Sequence, residues 1–204
     1  LREPNDIRSY AALACIAIQA NQNEMHGGQS VPNFDYSMAP GVAKTFRKQY
    51  FDALAQYIAM RYDMKLLDAE LLAKEINTKL AIDITMNTTD AFGEALIAFL
   101  PEHQATNEYQ PITALDTAKA HNYAVEAALS ETDKATYQAM EAFIHNLNTM
   151  NSRAGAQVPF SSVNYGTDTS PEARMAVRNL MKATEAGLGN GETPIFPVQI
   201  FKVK

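Results

Sequence analysis

Cysteine is nearly absent from this sequence: Cys15 is the only one in 204 residues. That excludes an internal disulfide framework and any zinc site built from paired cysteines, and it fits a reducing cytoplasm. Set among Ala14, Ile16 and Ala17, Cys15 reads as a small core residue rather than a reactive thiol. Positive charge is also in short supply. With 17 Lys and Arg against 23 Asp and Glu, the net charge is −6. No general field attracts nucleic-acid phosphate, so any anion site must be local. Long apolar runs are missing too. The longest, Tyr10 to Ala20, is shorter than the roughly 20 residues a helix needs to span a bilayer, and no membrane association is expected. A cleaved signal is not expected either, because Leu1 to Ser9 carries Glu3 and Asp6 beside its two arginines. His26, His103, His121 and His145 have no metal-ligand spacing with one another or with Cys15, so no metal is expected. A serine-histidine-acid order, a phosphate-loop motif and a dinucleotide fingerprint are likewise lacking.

What is present is a chain that is 47% hydrophobic and long enough to bury a substantial core. Asp6 predicts the cap of a helix from about Ile7 to Gln22, with Ile7, Tyr10, Ala14 and Ile18 on one stripe. Pro40 suits the first turn of a second helix to Tyr62, in which Val42, Phe46, Tyr50, Leu54 and Ile58 recur every four residues. Further helices are expected at about Asp68 to Leu80, Asp90 to Leu100 and Thr113 to Leu129, while Ala81 to Thr85 alternates and could pass for a short strand. Ser130-Glu131-Thr132-Asp133 resembles a capping box opening a new helix that reaches about Met150. Val158 to Tyr165 reads as a strand, Ser170-Pro171-Glu172 starts a last helix that Gly187 to Gly191 ends, and Pro194 to Phe201 is a closing apolar strand. The expectation is an α/β fold. Residues 1–130 are mainly helical with a first glycine turn and strand; residues 131–204 run helix, strand, helix, strand. Leu1 is not a methionine and the chain stops within the last strand, so a longer parent polypeptide is expected.

Two stretches echo each other, Gly27-Gly28-Gln29-Ser30-Val31-Pro32 and Gly155-Ala156-Gln157-Val158-Pro159. Glycine at a helix-to-strand turn lets backbone amides approach a ligand with no Cβ in the way, although the same residues also serve as plain tight turns. Asn146, Asn148, Thr149, Asn151 and Ser152 gather amides and hydroxyls around Arg153, a set suited to ribose hydroxyls and phosphate. Helix capping would use Asn151 and Ser152 equally well, which leaves Arg153 as the residue with fewest structural duties. Lys44, Arg47 and Lys48 share a helix face and form a local basic patch, or an ordinary solvated one.

The stretches His26 to Asp35, His145 to Ser162, Asn164 to Glu172 and Glu185 to Pro197 resemble the anaerobic (class III) ribonucleoside-triphosphate reductases. The likeness spans nearly the whole chain, is least distinctive from Lys65 to Val125, and departs from the expected glycine after Ser-Pro-Glu at Ala173. It implies a helix-wrapped barrel of ten strands in a homodimer, of which residues 1–204 form part. It also implies glycyl-radical chemistry. A radical glycine, generated by an iron-sulfur, S-adenosylmethionine-dependent activase, makes a cysteine thiyl radical that removes the ribose 3′ hydrogen, and the 2′ hydroxyl then leaves as water. By the same resemblance, the radical glycine and the fingertip-loop cysteine lie beyond Lys204 and the second cysteine before Leu1. No catalytic residue or cofactor is therefore expected within this stretch. The resemblance assigns Gly27, Gly28, Gln29, Ser30, Asn151, Ser152, Arg153, Gly155 and Gln157 to the wall of the ribonucleoside triphosphate pocket. It assigns Lys44, Arg47 and Lys48 to a region that binds ATP, dATP or other deoxynucleotide effectors. A non-catalytic nucleotide-binding or dimerisation module on the same scaffold is the alternative, and another glycyl-radical enzyme is disfavoured by the long matches.

Overall fold

The structure, a computed structural model, describes residues 3–25, 27–103, 112–150, 158–189 and 191–203. Its elements run α1 (Ile7–Glu24), β1 (Gln29–Val31), α2 (Phe34–Arg61), α3 (Leu66–Lys79), α4 (Thr89–His103), α5 (Ala114–Thr149), β2 (Ser161–Tyr165), α6 (Pro171–Ala186) and β3 (Val198–Phe201). This is a helix-rich α/β arrangement with one small parallel sheet of order β1-β2-β3. The chain forms two compact units, one of residues 1–45 with 133–204 and one of residues 46–132, so both boundaries fall inside long helices.

Local chemistry explains most of the element ends. Asp6 accepts the Ser9 amide at 2.8 Å to open α1, and Ser170 accepts the Ala173 amide to open α6 just before Pro171. Gly187 closes α6 at φ 78°, where a Cβ would lie 2.5 Å from the Glu192 carbonyl oxygen.

Three expectations are corrected. Helix α2 begins at Phe34, not Pro40, because Phe34 and Met38 extend the four-residue apolar spacing backwards and are buried with Val42. That burial outweighs the backbone bond that a proline inside a helix removes. Ala81 to Thr85 forms no strand; Thr88 instead ties the segment down, its hydroxyl donating to the Asp83 carbonyl and accepting from the Thr85 amide. Helix α5 is continuous through Ser130 to Asp133. The capping residues are engaged otherwise: Thr132 is fully buried, and Asp133 accepts from Arg178 at 2.7 Å and Asn179 at 2.8 Å. A capping box caps only where the chain turns, and here apolar periodicity on both sides carries the helix across.

The second unit is an all-helical core. Phe46, Tyr50, Leu54 and Ile58 of α2 pack with Ala69, Leu72 and Ile76 of α3, Phe92 and Leu96 of α4, and Ala120, Ala124 and Ala128 of α5. In the first unit the sheet carries the alternation expected when one face is covered: Ser161, Val163 and Tyr165 are buried, while Ser162 and Asn164 are only partly so. Among the described residues no helix is long and apolar enough to cross a membrane.

Candidate functional site

The first glycine turn delivers the chain from α1 into β1. Gly27 takes φ 108°, a region that disfavours side chains, and a Cβ on Gly28 would lie 2.9 Å from the Phe160 ring. The backbone can therefore lie close against Phe160, and the Gln29 amide donates to the Phe160 carbonyl at 2.9 Å. This places β1 beside β2 with Gln29 opposite Ser161, Ser30 opposite Ser162 and Val31 opposite Val163. On the other side of β2, Ser162 stands opposite Val198 and Asn164 opposite Ile200.

Side chains in register on neighbouring strands share a face, and residues two apart on one strand do too. Ser30, Ser162 and Asn164 therefore line the face away from the buried Val163 and Tyr165. Parallel strands are normally apolar throughout, whereas on this face β1 and β2 carry two hydroxyls and an amide, with Val198 and Ile200 of β3 beside them. Asn164 Oδ1 is buried and has no hydrogen-bond partner, an acceptor with nothing to accept from within the described residues. Beside β1, a cavity of about 290 Å³ is bounded by Leu13, Ala17 and Asn21 of α1 and by Gln29 and Ser30.

Of the residues singled out from the sequence, Gly27, Gly28, Gln29 and Ser30 are brought together at this edge of the sheet. Asn151, Ser152, Arg153, Gly155 and Gln157 lie outside the described residues, as does His26. Asn148 is used internally: its Oδ1 accepts the Ile195 and Phe196 amides at 2.9 and 3.0 Å, and its Nδ2 donates to the Phe196 carbonyl. It clamps the approach to β3. Thr149 returns its hydroxyl to the His145 carbonyl. Lys44 pairs with Glu3 and donates to the Pro4 carbonyl, whereas Arg47 contacts Asn77 and Asp83. Lys48 is exposed.

Sequence reasoning missed Ser162, Asn164 and Asp35. For the first two, only strand register reveals that they share a face with Ser30. Asp35, in the first turn of α2, is fully buried, and its Oδ2 accepts the consecutive amides of Gly166, Thr167 and Asp168 at 2.8, 2.9 and 2.9 Å. Three successive amides pointing at one oxygen form an anion nest, here filled by the protein's own carboxylate. Burial pushes the pKa of this carboxyl group up, but the amides of Asp168, Gly166, Tyr36 and Thr167 outweigh it and hold the group below the usual carboxylate range. The nest fixes the loop that follows β2.

Cys15 is 3% exposed, and burial pushes its thiol up to about 12 against a smaller opposing contribution from Asn146. Such a thiol stays protonated and unreactive at neutral pH. Among the described residues no group of three or more His, Cys, Asp or Glu could hold a metal ion.

The anaerobic ribonucleoside-triphosphate reductase of Enterobacteria phage T4 is 39% identical over 88 residues, which are 43% of this chain and 14% of that protein. The enzymes of the same name from Salmonella typhimurium and Escherichia coli are each 33% identical over 78 residues, 38% of this chain and 11% of theirs. The matched stretches are thus a small fraction of those proteins. The sequence model of one family, anaerobic ribonucleoside-triphosphate reductase, matches residues 1–204. With that match along its whole length, the chain belongs to the anaerobic ribonucleoside-triphosphate reductase family.

Proposed function

We propose that residues 1–204 are part of the catalytic barrel domain of a longer reductase and that the polar sheet face of Ser30, Ser162 and Asn164 is the wall against which a substrate ribose lies. The observation that carries this reading is the unpartnered Asn164 acceptor on a face shared with two serine hydroxyls. A ribose presents hydroxyl donors and acceptors at matching density, and a buried acceptor gains most from a donor that arrives with the ligand. Gly27 and Gly28 let the backbone come close, and Gln29 and Ser30 border the adjoining cavity. Asn151, Ser152, Arg153, Gly155 and Gln157 complete the same wall in this reading.

The whole protein then reduces ribonucleoside triphosphates to deoxyribonucleoside triphosphates by glycyl and thiyl radical chemistry, as an activase-dependent homodimer of the cytoplasm. This stretch supplies walls and helices rather than radical carriers, since its single cysteine is a protonated core residue, and on its own it is inactive. In the full-length enzyme, Ser162→Ala and Asn164→Ala should each raise substrate KM about tenfold, the worth of one buried hydrogen bond, with effector affinity unchanged. Unaltered substrate KM and kcat in both variants would sink the assignment.

Lys44, Arg47 and Lys48 belong, in this reading, to the effector region. Because Lys44 and Arg47 already have partners, Lys48 is the cleaner probe. Lys48→Glu should weaken effector binding more than substrate binding. Equal loss of both, or of neither, rejects the effector role.

A further inference from the structure

A second cavity, of about 470 Å³, lies away from the polar face, at the carboxyl ends of β2 and β3. The crevice beyond the carboxyl ends of parallel strands is where open α/β sheets take ligands, and the volume suits a small molecule. Its wall is α6, which presents Arg174, Arg178 and Lys182 at successive four-residue intervals, all exposed, in a chain whose net charge is −6. Cations at that spacing form a row on one helix face about 12 Å long. Its floor is the loop Gly166 to Thr169, held by the Asp35 nest, and its lip is Phe201, a residue 61% exposed whose ring lies against Gly166.

The cations are not used up by the fold. Arg178 is oriented by Asp133, which lies beneath it and also accepts from Asn179. Among the described residues Arg174 forms no ion pair with a carboxylate, and Lys182 makes none at contact distance although its charge acts on Asp133. Two carboxylates border the cavity: Asp168 accepts the Ser170 amide, and Glu185 stands at the far end of the row beyond Lys182. The lining therefore sets three cations against two carboxylates, Asp168 in the loop and Glu185 beyond Lys182, with Arg174 the cation that faces neither in an ion pair.

We propose that this cavity binds an oligophosphate group, free or carried by a nucleotide, on Arg174, Arg178 and Lys182. Guanidinium groups match phosphate oxygens bidentately, and the exposed Phe201 ring offers a stacking surface that only a nucleotide would use. The inference is independent of the ribose wall proposed above, and its test does not depend on catalysis.

The experiment is amine labelling of Lys182 in the full-length protein, followed by peptide mass spectrometry, with tripolyphosphate as the probe. Tripolyphosphate should slow labelling of Lys182 saturably. Arg174→Gln should weaken that protection about tenfold, as expected for one charge-assisted contact. Labelling of Lys182 that ignores tripolyphosphate, or protection undiminished by Arg174→Gln, overturns the proposal. A nucleoside triphosphate that protects at lower concentration than tripolyphosphate, by a margin lost in Phe201→Ala, identifies a nucleotide as the occupant. Equal protection by the two, unaffected by Phe201→Ala, identifies a free oligophosphate.

Discussion

Asp35→Asn should destabilise the unit containing the sheet by about 3 kcal/mol, because it replaces a buried carboxylate that three consecutive amides address with a neutral amide. The geometry leaves no good alternative. Oδ2 takes Gly166, Thr167 and Asp168, while Oδ1 takes the Tyr36 amide at 3.0 Å, so both oxygens face N–H donors and an amide must turn its own NH2 toward one of them. Asp35→Ala leaves all four donors without this acceptor and should cost at least as much.

Because the folded carboxyl group titrates below its unfolded counterpart, its contribution is fully present above the unfolded value, about 3.9, and is lost as pH falls through the depressed folded value. Urea unfolding of the wild type and Asp35→Asn should therefore converge at acidic pH and diverge toward neutrality. A constant difference across that range would show that the charge on Asp35 contributes nothing.

The second large effect belongs to the helical unit. Tyr50→Ala should cost about 3–5 kcal/mol, since it empties a fully buried aromatic site and removes the hydroxyl bonded to His121 Nδ1. The Tyr50 hydroxyl and His121 Nδ1 are 2.8 Å apart, and the Tyr50 ring meets Phe51, Phe92 and His121 edge-on at 5.3, 5.5 and 5.7 Å. His121 is also held by the Thr89 backbone, and Gly93 packs so closely that a Cβ there would lie 2.6 Å from His121 Nε2, which leaves the ring little room to move. Tyr50→Phe, which removes only the hydroxyl, should cost about 1–3 kcal/mol for the same reason.

Burial holds His121 below its ordinary value, with Asp90 and the Thr89 backbone acting the other way. A base held lower in the folded state binds its proton less well there than when unfolded. The stability it contributes is thus present above the unfolded value, about 6.5, and is lost as pH falls through the folded one. Hydrogen exchange at the amides of α4 and α5 would report both effects locally. Exchange rates in Tyr50→Phe equal to wild type, or wild-type protection that does not change between neutral and mildly acidic pH, would refute this account.

Helix identity was legible in the residues wherever apolar spacing and capping agreed. Asp6 and Ser170 open helices as their side chains require, and Val42 to Ile58 bury the stripe their spacing predicts. The first glycine turn and the strand after it could also be read, because a left-handed or closely packed backbone position excludes most other residues. Where a local signal met a larger burial, the local signal lost. Pro40 did not open α2, and Ser130 to Asp133 did not break α5, because the apolar residues on both sides outweigh one proline or one capping pattern.

The candidate sites divide the same way. Family membership is written along the whole length of the sequence, and composition alone removes an internal disulfide and a zinc site of paired cysteines. That Ser30, Ser162 and Asn164 share a face, that the Asp35 carboxylate fills a nest 131 residues away, and that α6 turns its basic row toward Phe201 all depend on strand register and loop closure. Side-chain periodicity along one strand says which residues share a face. It cannot say which distant strand lies alongside, or in what register, and only the tertiary structure decides that.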